Sequence, residues 1–81
     1  LSLKLKITYF DNVVRTNILN EGDIVKIKSI CNKELKTYEG KIKSIKMIST
    51  NKYLIELDCG QEYNSKIEYI HADMIRSVEI L

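Results

Sequence analysis

Lys41, Lys43, Lys46, Lys52 and Tyr53 are the residues of this chain whose types and spacing could do chemistry. Lysines repeated along one segment can follow a phosphate backbone, because each neutralised phosphate releases condensed counterions, and a tyrosine such as Tyr38 or Tyr53 offers a stacking face. The charge layout supports that reading. Residues 26–52 carry eight Lys against Glu34 and Glu39, whereas residues 53–81 carry Lys66 and Arg76 against six acids. A plainer arrangement accounts for the same residues. If Lys26 lies opposite Glu39, these lysines are the wet face of strands whose neighbours supply acidic partners, and the formal net charge is only +2.

Other chemistries find less support. Catalysis needs several polar groups converging in a pocket, and the chain offers a single His and no nucleophile motif. The closeness of His71 to Asp73 reads as capping of a short turn at residues 72–74, not as a catalytic pair. Cys31 and Cys59 lack both CxxC pairing and His partners, so they read as ordinary reduced thiols and not as metal ligands. Gly22, Gly40 and Gly60 lie far apart, each suited to a turn or bend, and form no phosphate-cradling loop. We therefore expect a protein that is not an enzyme and uses no cofactor and no metal.

These residues must be positioned by strands. Leu1, Leu3, Leu5, Ile7 and Tyr9 alternate with Ser2, Lys4, Lys6 and Thr8, the period of a half-buried strand. Asp11-Asn12 reads as a tight hairpin turn leading to the run from Val13 to Leu19, and Asn20 to Asp23 as the next turn. The β-branched run from Ile24 to Ile30 then pairs through Cys31-Asn32-Lys33-Glu34 with a long strand containing Tyr38, Gly40 and Ile42. Placing Ile30 opposite Leu35 puts Val25, Ile27, Tyr38, Gly40 and Ile42 on one face and the lysines on the other. Ile45 has the wrong parity to join that face unless an extra residue enters near Ser44, which predicts a β-bulge. Gly40 just ahead of it lets the strand curl sharply enough to serve two sheets. Further strands follow at Tyr53 to Asp58, at Tyr63 to Tyr69 with Tyr63, Ser65, Ile67 and Tyr69 sharing a face, and at Ile75 to Leu81 after a single helical turn. The expected core is Val25, Ile27, Tyr38, Ile42, Ile45, Ile55, Leu57, Ile67 and Tyr69.

Short strands with turn signals at near-regular spacing make this an all-β chain, and the five strands from residue 24 onward fit a small SH3-like barrel. With 81 residues, 44% hydrophobic and 30% charged, one domain is expected: a hairpin over 1–20 and a barrel over 24–81. No window approaches the eighteen or more apolar residues of a membrane span, and no secretory start is visible, so the expected setting is the cytoplasm, away from membranes.

Over residues 24–81, Tyr38-x-Gly40-x-Ile42-x-x-Ile45, a following apolar strand and Ile70-His71-Ala72-Asp73-Met74-Ile75 resemble the two motifs of the Sm family. The resemblance implies a barrel, RNA contact from the loops at Lys52-Tyr53 and His71-Ala72, and rings built by pairing edge strands. The chain departs from the family pattern in particulars. Lys46 stands at the acidic position, the RNA-contacting pairs differ, and a hairpin replaces the N-terminal helix. Fold alone does not carry function. The sequence ranks first a small adaptor of the bacterial or phage type, docking a protein partner through an exposed barrel edge or loop. Weak RNA or DNA binding through Lys41, Lys43, Lys46, Lys52 and Tyr53 comes next, and an oligomer-building subunit third.

Overall fold

Alternation and turn chemistry together set the strand order. The computed structural model describes residues 1–61 and 63–81. Seven strands are present among them: β1 (Ser2–Thr8), β2 (Val14–Asn20), β3 (Ile24–Cys31), β4 (Glu34–Ser49), β5 (Lys52–Asp58), β6 (Ile67–His71) and β7 (Ile75–Ile80), with a 3₁₀ turn, Ala72–Met74, between the last two. The turns follow their residue types. Asn12, Asn32, Lys33 and Asn51 take positive φ, as does Gly22 at +97°, and the Asp11 carboxylate accepts the Val13 N–H to fix the first hairpin.

β1 and β2 form a two-stranded sheet, and the other five strands form a second sheet in the order β6-β5-β4-β3-β7, every neighbour antiparallel. This ladder is open, with β6 and β7 at its two ends. The long β4 serves two partners. Its first half pairs with β3 and its second half with β5, and Lys41 has a partner in each, Ile24 and Asp58. The register matches the pairing read from sequence: Ile30 opposite Leu35, Lys26 opposite Glu39 and Val25 opposite Gly40. The expected bulge is present between Ile42 and Ser44 and passes over Lys43, which is how Ile42 and Ile45 both come to be buried. The turn ahead of β3 secures this point. Gly22 N–H donates to Ile42 O (2.8 Å), Ile42 N–H to Asp23 O (2.9 Å) and Ile45 N–H to Glu21 Oε2 (3.0 Å).

One core holds the sheets together. Val25, Ile27, Ile42, Ile55 and Leu57 are fully buried, and Leu19 of β2 is fully buried with them. Leu3 and Ile7 of β1 belong to the same cluster, so the hairpin shares the core of the larger sheet. Burying side chains of this size is worth roughly 1.5–3 kcal/mol each, which makes the hairpin a substantial contributor to stability. Tyr38 is half-buried and packs against the cluster, and Ile67 is half-buried.

Three expectations are corrected here. Tyr69 is not a core residue: it is 61% exposed, and Ile70 is buried in its place. Pairing decides this, because Ile70 lies opposite the buried Ile55 while Tyr69 lies opposite Glu56, so they face opposite sides of the sheet. The strand also begins at Ile67, leaving Tyr63 outside it and 91% exposed. The 3₁₀ turn forms as expected but has no side-chain cap, since neither His71 nor Asp73 closes it. Its order comes instead from the burial of Ala72 and the N–H of Ile75 donating to Ala72 O.

Candidate interaction surface

The five residues singled out by sequence fall into two places. Lys41 and Lys43 are exposed on β4 on either side of Ile42, and both line a hollow of about 400 Å³ whose far wall is Asp58. Asp58 is the centre of a hydrogen-bonded turn: its Oδ1 accepts the N–H groups of Gly60 (3.0 Å) and Lys66 (3.2 Å), and its Oδ2 the Ser65 hydroxyl (3.1 Å). The Gly60 and Lys66 amides hold the carboxyl below its usual range, with smaller help from Ser65 and from the charge of Lys43. Lys46 is committed elsewhere, its Nζ lying 3.4 Å from Glu56 Oε1 on the adjacent strand. These three lysines therefore have acidic neighbours within the fold, as cross-strand pairing of a wet face requires.

Lys52 and Tyr53 sit apart from them. The β5–β6 register pairs Leu54 with His71, which brings the start of β5 beside the 3₁₀ turn. Lys52, Tyr53, Ala72 and Asp73 consequently border one groove of about 440 Å³, and its opposite wall is β1, from Ser2 to Leu5. A second groove of about 300 Å³ continues along β1 from Leu5 to Thr8, facing Ala72, Asp73, Ile75 and Arg76. Tyr53 is half-buried and packed against the core, so its ring serves as groove wall more than as an open stacking face.

Sequence reasoning missed Lys4, which shares the first groove with Lys52, and Lys6 and Arg76, which share the second. These four cations surround the two grooves with Asp73 as the acid among their lining residues. None of the four pairs with a carboxylate among the described residues. The Arg76 guanidinium is held by carbonyls, donating to Asp73 O (3.1 Å) and Ile75 O (3.3 Å), which keeps its charge at the groove. The alternation of Lys with Leu along β1 was the available signal. It placed Lys4 and Lys6 on the wet face without showing what lies beside them.

The opposite end of β7 is closed by a tyrosine. The Tyr9 hydroxyl accepts the Val78 N–H (3.1 Å) and lies 3.0 Å from both Val78 O and Asn17 Oδ1, while the Arg15 guanidinium stacks 4.6 Å above the ring centre. Arg15 is fixed in turn by a two-pronged pair with Asp11 at 2.7 and 3.1 Å. That guanidinium, with the Val13 N–H, lowers the Asp11 carboxyl to about 2.

Cys31 and Cys59 are both free thiols, and burial pushes the Cys59 thiol up, away from the reactive thiolate. No group of three or more His, Cys, Asp or Glu that could hold a metal ion occurs among the described residues. Compared with known proteins, the chain matches no family model, no curated protein and no solved structure.

Proposed function

We propose that this chain is a small non-catalytic interaction module, an SH3-like barrel with an added N-terminal hairpin, that docks a protein partner through an open strand edge. The barrel reading draws on three features: the four-strand meander from β3 to β6 with β7 returning beside β3, the long β4 shared between two partners with a bulge between them, and the 3₁₀ turn joining β6 to β7. One observation carries the functional reading. The edge of β1 away from β2 is bordered along its length by grooves and has no strand partner among the described residues, whereas β7 has its outward Val78 groups closed by Tyr9. An unpaired edge beside a groove is the feature that strand addition uses.

Nucleic-acid binding is the second reading, favoured by the adjacency of Lys52-Tyr53 to the His71-Ala72 turn, the two positions that the Sm resemblance assigns to RNA. Three measurements separate the readings. Selection of random displayed peptides on the immobilised protein tests for polypeptide binding. Light scattering gives the mass in solution, and a titration with single-stranded RNA is run at about 0.15 M salt, where charges beyond roughly 8 Å are screened. The interaction reading predicts enriched peptides, a monomer and RNA binding that fades at that salt. A ring-sized mass would favour the oligomer-building alternative. Submicromolar, sequence-dependent RNA binding abolished by Tyr53→Ala, with no peptide enriched, would replace our reading with the second.

A further inference from the structure

We propose that the free edge of β1 takes an acidic, extended segment of a partner protein as an added strand. This rests on the interaction-module reading and names its site and ligand chemistry. Two hydrogen bonds bracket the hairpin and fix which backbone groups are free: Glu21 N–H donates to Leu1 O (3.3 Å) and Tyr9 N–H to Val13 O (3.0 Å). Antiparallel ladders alternate, so the odd-numbered residues of β1 bond to β2 while Ser2, Lys4, Lys6 and Thr8 direct their N–H and C=O groups to the open side. No other strand pairs with that side among the described residues. The edge is seven residues long, about 23 Å at strand spacing, enough for an ordinary strand.

Side-chain parity and charge then specify the ligand. A strand laid against β1 would point alternate side chains inward beside Leu3, Leu5 and Ile7, over an apolar floor continued by Ala72 and Ile75. Its other side chains would stand beside Lys4 and Lys6, with Lys52 and Arg76 flanking, so acidic residues there meet cations that have no carboxylate partner among the described residues. The occupant therefore alternates apolar and acidic residues. A second copy of this chain does not fit, because antiparallel pairing of β1 with itself about Leu5 sets Lys4 directly opposite Lys6. Single-stranded nucleic acid fits less well, since it makes no use of the row of backbone amides and finds Tyr53 already packed into the wall.

The test is fluorescence anisotropy on the full chain with a labelled peptide of alternating Val and Glu long enough to span β1. Its Val-Lys counterpart and an RNA oligonucleotide of matched charge serve as comparisons. The acidic peptide should bind tightest. The exposed double variant Lys4→Glu/Lys6→Glu should weaken it at least about tenfold, since opposite-charge neighbours become like-charge ones at two rungs. Lys33→Glu/Lys36→Glu, on the far β3–β4 hairpin, should not. Lys6→Pro, which deletes one edge N–H, should abolish binding. Should it unfold the hairpin, as circular dichroism would reveal, the charge-reversal pair still decides. Unchanged affinity in Lys4→Glu/Lys6→Glu, or preference for the basic peptide or the RNA, overturns the assignment. If display-selected peptides bind and the acidic one does not, the site or its ligand class is wrong while the module reading survives. If no peptide binds, both fail.

Discussion

Gly40→Ala should destabilise this protein, and the sign of the effect is the informative part. Alanine in an ordinary strand is more stable than glycine by roughly 0.5–1 kcal/mol, so a straight, uncrowded β4 would gain from the change. At Gly40 an added methyl would overlap the Asp58 carbonyl oxygen, 2.8 Å from the carbonyl carbon and 3.0 Å from Cys59 Cα. All three are backbone atoms, which cannot rotate aside. The segment that must move is also well tied: Asp58 Oδ1 accepts from Gly60 and Lys66, and Cys59 N–H donates to Lys66 O at 2.8 Å. Overpacking costs about 1–3 kcal/mol and each hydrogen bond lost about 1 kcal/mol, so a loss of roughly 2–4 kcal/mol follows. For a domain of this size that lowers Tm by about 10–25 °C. Gly22→Ala supplies the contrast, because Gly22 has nothing within 4 Å of its added methyl and a φ of +97°; its cost of about 1–2 kcal/mol is purely conformational. Thermal melts followed by circular dichroism read both. A Gly40→Ala variant as stable as the parent would mean that β4 is neither bent nor crossed at that point, and the account of the fold would lose its main local support.

Three further outcomes follow from the packing and the caps. Ile42→Ala, at a fully buried position, should cost about 2–5 kcal/mol, while Tyr69→Ala, 61% exposed, should cost less than about 1 kcal/mol; equal losses in denaturant melts would contradict the parity of β6. Tyr9→Phe removes the hydroxyl bonded to both backbone groups of Val78 and should cost about 1–3 kcal/mol while speeding exchange of the Val78 amide; an unchanged exchange rate would show that Tyr9 does not close that edge. Asp11, with its carboxyl lowered from 3.8 to about 2 by Arg15 and the Val13 amide, contributes stability that is fully present above its unfolded value and disappears as pH falls from 3.8 through about 2. The Tm gap between wild type and Asp11→Asn should therefore be present near neutral pH and vanish by about pH 2; a constant gap would mean that the Asn loses something other than charge.

What could be read from the chain was whatever local pattern dictates. The Lys26–Glu39 register followed from the two-residue turn at Asn32 and Lys33 acting on a β-branched run, and the bulge followed from the parity clash between Ile42 and Ile45. Tyr69 shows where that logic ends. The series Tyr63, Ser65, Ile67, Tyr69 alternates as cleanly as Ile70 and Ala72 do, and a tyrosine suits either a core or a wet surface. The choice was made by a distant strand, through Ile55 opposite Ile70. The grooves were invisible for the same reason: Lys4 and Lys52 are brought together by the seating of the hairpin on the common core through Leu3, Ile7 and Leu19, a contact without a sequence period. Lys46, by contrast, looked like a binding residue and pairs with Glu56 inside the fold.

Amide hydrogen exchange along β1, measured residue by residue in the free protein and with the alternating Val-Glu peptide, tests the docking account most directly. In the free protein Leu3, Leu5 and Ile7, bonded to β2, should exchange slowly, while Lys4, Lys6 and Thr8, facing the open side, should exchange fast. Adding the peptide should slow Lys4, Lys6 and Thr8 and leave the odd residues as they were. Slow exchange at Lys4 and Lys6 without peptide, or fast exchange that saturating peptide leaves untouched, would contradict an open edge that takes an added strand.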